Sequence, residues 1–155
     1  MELPKNLEYE VKLIWDKQSG GDAYMRSFPK VKLDMPLEFG GKGRSPCPDE
    51  LFLSSVGGCL LTTFLYFTER LKLDLRGLKV SVQGMVDYVG PRGYRISEIK
   101  ILISVEVPRG ENSKAEECAE LATDYCHLTR SLEEGIRTKI LSEVQFINLD
   151  EKKSP

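Results

Sequence analysis

The feature that most constrains the fold of this chain is a run without a charged side chain, from Leu51 to Thr68. A run of this length just reaches the lower limit for a transmembrane helix. However, several small or polar residues interrupt it, and no second run of similar length follows. We therefore predict a long helix that is buried in protein rather than in lipid. The interrupting residues are Ser54, Ser55, Gly57, Gly58, Thr62 and Thr63.

The residues before this run predict where the helix begins. The loop GGKGRSPCP ends on Pro48, which suits the first turn of a helix because its missing N–H needs no partner there. Asp49 and Glu50 follow, and their negative charges complement the positive end of the helix dipole. The pattern predicts one helix that continues to about Leu71.

Alternation of polar and apolar residues predicts strands on both sides of the helix. A second pair of alternating segments, 78–88 and 94–107, is joined by VGPRG, which is typical of a β-hairpin. The segments before the helix predict a meander, at residues 7–15, 23–28 and 30–35.

The C-terminal third predicts two more helices and a last strand. Ser113 and Glu116 have the spacing of a capping box, which predicts the start of a second helix. A short third helix is predicted at residues 130–135, and a closing strand at 140–149. We predict a single α+β domain over residues 1–155, with antiparallel sheets wrapped on the long central helix and a disordered tail at 150–155.

Charge and cysteine content exclude several function classes. The net charge of -2 and a pI of about 5.6 argue against binding to nucleic acid or to an anionic membrane. No signal-peptide pattern is visible, so we expect a cytoplasmic protein with reduced cysteines. The four cysteines form no CxxC pair, and with a single histidine they predict no metal site.

The long helix also predicts an oligomer. A helix with almost no polar face needs cover on all sides, and a few short strands with one amphipathic helix supply little of it. A homodimer that packs two such helices together would cover both of them.

The cysteines have several interpretations on residue patterns alone. Helical spacing places Cys59 on a slightly polar strip with Ser55, Val56, Thr62 and Thr63, which could line a pocket or admit a second helix. A buried, inert cysteine is the common alternative.

The other cysteines lie on different elements. Cys118 lies on the apolar face of the second helix, which indicates a core position, and Cys126 ends that face. Spacing does not decide whether Cys59 and Cys126 meet. A pair of Cys126 with His127 is disfavoured because neighbours on a helix point about 100 degrees apart.

Two motifs on matching elements resemble the OsmC family of osmotically inducible and organic hydroperoxide resistance proteins. The first is the helix start with Pro48, Glu50 and Leu51 before Cys59, and the second is the CHLT segment that begins at Cys126. The resemblance covers residues 30–148, and the sequence motif is most similar to that of a less characterised branch of the family.

The resemblance implies an intertwined homodimer with sites at the interface, and thiol peroxidase chemistry in oxidative-stress defence. Cys59 would attack a hydroperoxide and become a sulfenic acid, and Cys126 would condense with it to a disulfide. An external dithiol, such as one of the lipoyl type, would restore both thiols, and no cofactor is implied.

The resemblance also implies a carboxylate at the helix start, Asp49 or Glu50, paired with an arginine on an early strand. The expected arginine position, near Gln18, holds none, so Lys17, Arg26 and Arg44 are the candidate cations. Nine or ten residues of helix span about 14–15 Å, so the carboxylate reaches Cys59 only from a partner subunit or through a helix break at Gly57–Gly58. Close helix–helix packing is the commoner explanation of such glycines.

Two other functions fit the same residues. A non-enzymatic relative would bind an apolar small molecule in the interfacial pocket. A redox sensor would use the oxidation of Cys59 and Cys126 without turnover.

Overall fold

A computed structural model describes residues 8–146, and their contacts divide the chain into two units, Met1–Phe52 and Leu53–Pro155. The prediction of one domain stays a prediction. The first unit contains a three-stranded antiparallel meander in the order β1-β2-β3. β1 and β3 are shorter than predicted, and β2 begins three residues earlier than predicted and ends before a turn at residues 26–27. They are β1 (Lys12–Trp15), β2 (Gly20–Tyr24) and β3 (Val31–Asp34).

The second unit contains a three-stranded sheet in the order β4-β5-β6. The hairpin of β4 (Gly77–Tyr88) and β5 (Tyr94–Val107) is antiparallel, and a short 3-10 turn at Gly90–Arg92 joins its strands. This hairpin confirms the prediction made from VGPRG. β6 (Arg137–Phe146) lies on the other side of β5, which makes β5 the central strand.

The prediction of purely antiparallel sheets is wrong for β6, which pairs with β5 in parallel, for example Ile101 with Ile140. A parallel pair needs a long crossover connection, and the two helices between β5 and β6 provide it. Alternation in a sequence reports which side chains share a face, but it does not report strand direction. The described part of β6 ends at Phe146, so the predicted residues 147–149 and the tail at 150–155 lie outside the described residues.

The central strand β5 supplies much of the core of this unit. Its alternate residues point to the same face and are fully or almost fully buried. One face of α2 (Asn112–Tyr125) is buried as well, and α2 contacts β5 and β6. These core residues are Ile99, Ile101, Ile103, Val105 and Val107 of β5, and Ala115, Cys118, Ala119 and Ala122 of α2.

The ends of the two C-terminal helices differ from the prediction. α2 begins at Asn112 with Glu111 at the N-cap and no side-chain cap hydrogen bond, so the predicted capping box is wrong and Ser113 lies inside the helix. The third helix, α3 (His127–Leu132), begins three residues earlier than predicted. Cys126 is the single residue between the two helices, and its backbone is extended, with φ -68° and ψ 105°.

The long helix α1 (Pro48–Leu71) is continuous through Gly57–Gly58. A Cβ at position 57 would lie 2.7 Å from Val82 Cγ2, so Gly57 permits a close approach of α1 to strand β4. Gly58 has open space at the same position. The predicted close packing of a second helix is therefore not seen at Gly57, whose close partner in this chain is a strand.

The single chain leaves one side of α1 uncovered, which agrees with the expectation that its strands and helices supply little cover. Its buried side is formed by Val56, Gly57, Leu60 and Phe64. The opposite side is exposed, with Leu65 at 41% and Tyr66 at 44% of their full accessible areas. Among residues 8–146, α1 is the one helix that is long and apolar enough to cross a membrane, a criterion that core helices of soluble proteins also meet.

Candidate functional site

The second unit brings three reactive side chains together at the junction of α2 and α3. Cys59, in the middle of α1, lies with its Sγ 3.6 Å from His127 Nδ1 and 4.0 Å from His127 Nε2. The Cys126 thiol is also a hydrogen-bond neighbour of Cys59. Both cysteines are free thiols. The structure thus places the two cysteines singled out in the sequence side by side.

The extended conformation of Cys126 creates this arrangement. The N–H of Cys126 donates to the carbonyl of Ala122 at 3.0 Å, which closes the last turn of α2. Its own carbonyl accepts the Arg130 N–H at 3.1 Å and the Thr129 hydroxyl at 3.0 Å, which starts α3. One residue therefore serves both helices, and the chain turns there.

The two thiols differ in access to solvent. Cys126 is completely buried, whereas Cys59 is half-buried. A small molecule from solution therefore meets Cys59 first, and Cys126 is placed to react with Cys59 rather than with solvent. The His127 ring is exposed on the solvent side of the pair.

The surroundings of Cys59 act in opposite directions on its acidity. Burial raises the pKa of the Cys59 thiol above its ordinary value, and the neighbouring Cys126 thiol raises it further. A hydrogen bond from the Leu128 backbone N–H and the nearby Thr63 hydroxyl lower that pKa, but the net direction is upward. At neutral pH the thiol is therefore mainly protonated, and its reactivity depends on a group that removes the proton.

The strip of residues predicted to line a pocket with Cys59 divides into buried and exposed members. Val56 is part of the core, and Thr63 is half-buried, with its hydroxyl donating to the Cys59 carbonyl at 2.8 Å. Ser55 and Thr62 are exposed. The Thr62 hydroxyl is hydrogen-bonded to the carbonyls of Gly58 and Cys59, each at 3.0 Å.

The predicted carboxylates lie at the start of α1, in the first unit. Glu50 Oε2 accepts the backbone N–H of Cys47 at 2.7 Å, so this carboxylate satisfies an N–H that precedes the helix. Asp49 is exposed. Because α1 is continuous at Gly57–Gly58, a helix break does not bring either carboxylate to Cys59. The catalytic role of Asp49 and Glu50 stays a prediction.

Of the three predicted cations, Arg44 is engaged in an ion-pair network of the first unit. Its Nε donates to Asp34 at 2.9 Å and its Nη2 donates to Asp16 at 2.8 Å. Arg44 lowers the pKa of the buried Asp34 far below the usual carboxyl range. The guanidinium of Arg26 lies over the Phe28 ring, 5.4 Å from its centroid, and Lys17 occupies a turn with φ 63°.

His127 was not predicted as a partner of Cys59. The sequence pattern indicates one continuous helix through Cys126 and His127, whereas in the structure that helix is broken at Cys126. The contact joins residues 68 positions apart, and no local pattern reports such a pair. Among residues 8–146, no group of three or more His, Cys, Asp or Glu side chains is placed to hold a metal ion.

Comparison with known proteins adds a family and several similar folds. The family model described as OsmC-like protein matches residues 41–141, about two thirds of the chain. No curated protein matches the sequence.

Solved structures are similar over nearly the whole chain, and they share its two sheets and its helices. A hypothetical protein from Aquifex aeolicus is 19% identical, with a TM-score of 0.76, 92% of this chain covered and 100% of the other. An OsmC-like protein from Mycoplasma pneumoniae has the same identity, TM-score and coverage of this chain, and 99% of that protein is covered. An organic hydroperoxide resistance protein from Legionella pneumophila is 17% identical, with a TM-score of 0.68 and coverages of 90% and 97%.

Proposed function

Because the chain belongs to the OsmC family, we propose that it reduces organic hydroperoxides with Cys59 as the attacking thiol and Cys126 as the resolving thiol. The observation that carries the proposal is the contact of a half-buried Cys59 with a fully buried Cys126. One similar structure, from Legionella pneumophila, is named an organic hydroperoxide resistance protein.

In the first step, the Cys59 sulfur attacks the outer oxygen of the peroxide. An S–O bond forms and the O–O bond breaks, so the sulfur is oxidised to a sulfenic acid while the peroxide is reduced. The alkoxide that leaves takes up a proton and departs as an alcohol. The half-buried position of Cys59 gives a small peroxide access to the sulfur.

In the second step, the Cys126 sulfur attacks the sulfenic sulfur of Cys59. An S–S bond forms and water leaves, which requires the two sulfurs to be neighbours. A small dithiol, such as one of the lipoyl type, then reduces the disulfide by thiol–disulfide exchange and is itself oxidised. This cycle returns both cysteines to the free state that the structure shows.

The uncharged surroundings of Cys59 on α1 support an organic peroxide as the substrate. No charged side chain occurs on this helix between Leu51 and Thr68. An apolar substituent next to the peroxide group therefore loses little hydration there, whereas hydrogen peroxide gains nothing from such a surface. We place the protein in the cytoplasm, where thiol-based turnover finds its reductants.

The proposal includes a homodimer in which the exposed side of α1 packs against its copy. Leu65 and Tyr66 on this side are each more than 40% exposed in the single chain, and Gly58 allows a close approach. In the dimer, the partner's helix start would supply the carboxylate that α1 cannot bring to its own Cys59.

We expect the protein to sediment with twice the 17.5 kDa mass of one chain. Leu65→Asp should shift it to the monomer, because it places a charge on the proposed interface. Sedimentation equilibrium of both proteins checks this, with the exposed β6 residue Leu141 changed to Asp as the control that keeps the dimer. A wild-type protein that sediments as a monomer would contradict the dimer.

The test of the activity is the consumption of tert-butyl hydroperoxide with dihydrolipoamide as the reductant. Wild type should sustain turnover, and Cys59→Ser should lose it completely, because Cys59 is the partly exposed thiol beside Cys126. Cys47→Ser is the matched control and should keep the wild-type rate. Equal consumption by wild type and Cys59→Ser would remove the enzymatic proposal.

A redox sensor gives a different outcome in the same assay. It would form the Cys59–Cys126 disulfide with peroxide but would not sustain consumption when the dithiol is supplied. Mass spectrometry of the oxidised protein, beside the turnover rate, therefore separates the sensor from the peroxidase.

A further inference from the structure

In the part of the chain that the structure describes, the imidazole of His127 lies beside the Cys59 thiol together with the Cys126 thiol. Nδ1 lies 3.6 Å and Nε2 4.0 Å from the sulfur, which is within the reach of a hydrogen bond to sulfur. The Leu128 N–H and the Thr63 hydroxyl also lie at the sulfur, and both are neutral. α1 itself carries no charged side chain in this region.

This placement matters because a half-buried thiol is a poor nucleophile while it keeps its proton. Burial and the Cys126 thiol both raise the pKa of Cys59. Of the three candidate cations named from the sequence, Arg44 already binds Asp16 and Asp34 in the first unit. A proton acceptor for Cys59 must therefore lie close to its sulfur. Within the second unit, His127 is a side chain in that position.

We propose that His127 is the proton acceptor of Cys59, forming a Cys59–His127 dyad that activates the thiol for attack on the peroxide. The proposal rests on the peroxidase function proposed above and adds a catalytic residue to it. The nearer ring nitrogen, in its unprotonated form, takes the S–H proton as the sulfur attacks. The imidazolium that results then gives this proton to the leaving alkoxide.

The proton balance of the dyad closes over the first step. Thiol, neutral imidazole and hydroperoxide give the sulfenic acid, neutral imidazole and an alcohol. The proton taken from Cys59 leaves on the alcohol, and the hydroxyl of the peroxide stays on the sulfur as the sulfenic acid. The exposed face of the His127 ring also lets it exchange protons with water between turnovers.

The turn at Cys126 directs the side chains of Cys126 and His127 toward Cys59. On one continuous helix, residues 126 and 127 would point about 100 degrees apart, and only one of them would face α1. The extended backbone of Cys126 removes this constraint, so the resolving thiol and the proposed base reach the same sulfur. The segment thus supplies both groups from adjacent positions.

The test uses the fact that His127 is the sole histidine of the chain. The rate at which iodoacetamide alkylates Cys59 is measured against pH, in a Cys47→Ser background because no Lys or Arg separates Cys47 from Cys59 for tryptic mapping. The wild-type profile should show an inflection at the pKa of the imidazole, which NMR titration of the single histidine gives independently. His127→Gln should lose this inflection.

Near neutral pH, we expect His127→Gln to alkylate about a hundredfold more slowly, the lower end of what a positioned acid–base group contributes. At high pH the two rates should converge, because the thiol then ionises without help. If His127→Gln only disturbed the local structure, its alkylation rate would be lower than that of wild type at every pH. Arg130→Gln is the matched control, since it removes a cation from an exposed position of the same helix α3.

Two results would overturn the dyad. One is an inflection that persists in His127→Gln, and the other is an equal loss in Arg130→Gln, which would indicate a general effect of charge. Because alkylation involves no peroxide, the dyad and the peroxidase function fail separately. An inflection without peroxide consumption would keep the dyad and reject the function, and consumption without the inflection would do the reverse.

Discussion

Without added dithiol, Cys126→Ser should reduce one equivalent of hydroperoxide per chain and stop at the Cys59 sulfenic acid, one step before the disulfide of wild type. Cys59 and its neighbour His127 are kept in this variant, so the attack of Cys59 on the peroxide still occurs. The sulfenic acid then has no neighbouring thiol with which to condense, because Cys126 is the thiol that the fold places beside it. An added dithiol must then condense with the sulfenic acid itself, so turnover with the dithiol should be slower than in wild type.

Mass spectrometry after one equivalent of peroxide distinguishes the two proteins. Wild type should lose two hydrogens as the disulfide forms, whereas Cys126→Ser should gain one oxygen and react with dimedone, which traps sulfenic acids. Cys47→Ser serves as the control and should behave as wild type. A variant without Cys126 that turns over at the wild-type rate would show that another thiol resolves the intermediate.

Phe64→Ala should lower the free energy of unfolding by about 3–5 kcal/mol, because it leaves a cavity in a packed core. Phe64 is completely buried and is the largest of the fully buried side chains. The surrounding side chains relax into such a space only in part, so both the lost burial and the cavity weaken the fold. A loss of this size is a large share of the total stability of a domain.

Urea unfolding followed by circular dichroism measures this loss, with Leu141→Ala as the control. Leu141 is 67% exposed on the edge strand β6, so its truncation should change the stability by no more than about 0.5 kcal/mol. Similar midpoints for the two variants would show that α1 does not bury Phe64 in solution.

The order of helices and strands could be predicted because each element leaves a local pattern. The uncharged run and the helix start at Pro48 gave α1 with its observed end at Leu71. Strict alternation in residues 94–107 gave β5, since its inward side chains form the core and its outward ones meet solvent. These patterns depend on neighbours in the chain, which a sequence displays directly.

The elements that were predicted wrongly depend on distant parts of the chain. β6 has the alternation of a strand, but its parallel direction follows from the crossover through α2 and α3. Ser113 and Glu116 have the spacing of a capping box, yet the helix begins one residue before Ser113 and uses Glu111 at the N-cap. In both cases the local signal was compatible with more than one tertiary arrangement.

In the candidate site too, some features could be predicted from the sequence and others could not. The sequence by itself determined the two cysteines, the helix that carries Cys59 and the family to which the chain belongs, because residue type and spacing are local properties. Only the tertiary structure decided that Cys126 is buried against Cys59 and that His127 faces the same sulfur. The physical reason is one backbone conformation, the extended residue between α2 and α3, which sets the direction of two side chains across 68 residues of chain.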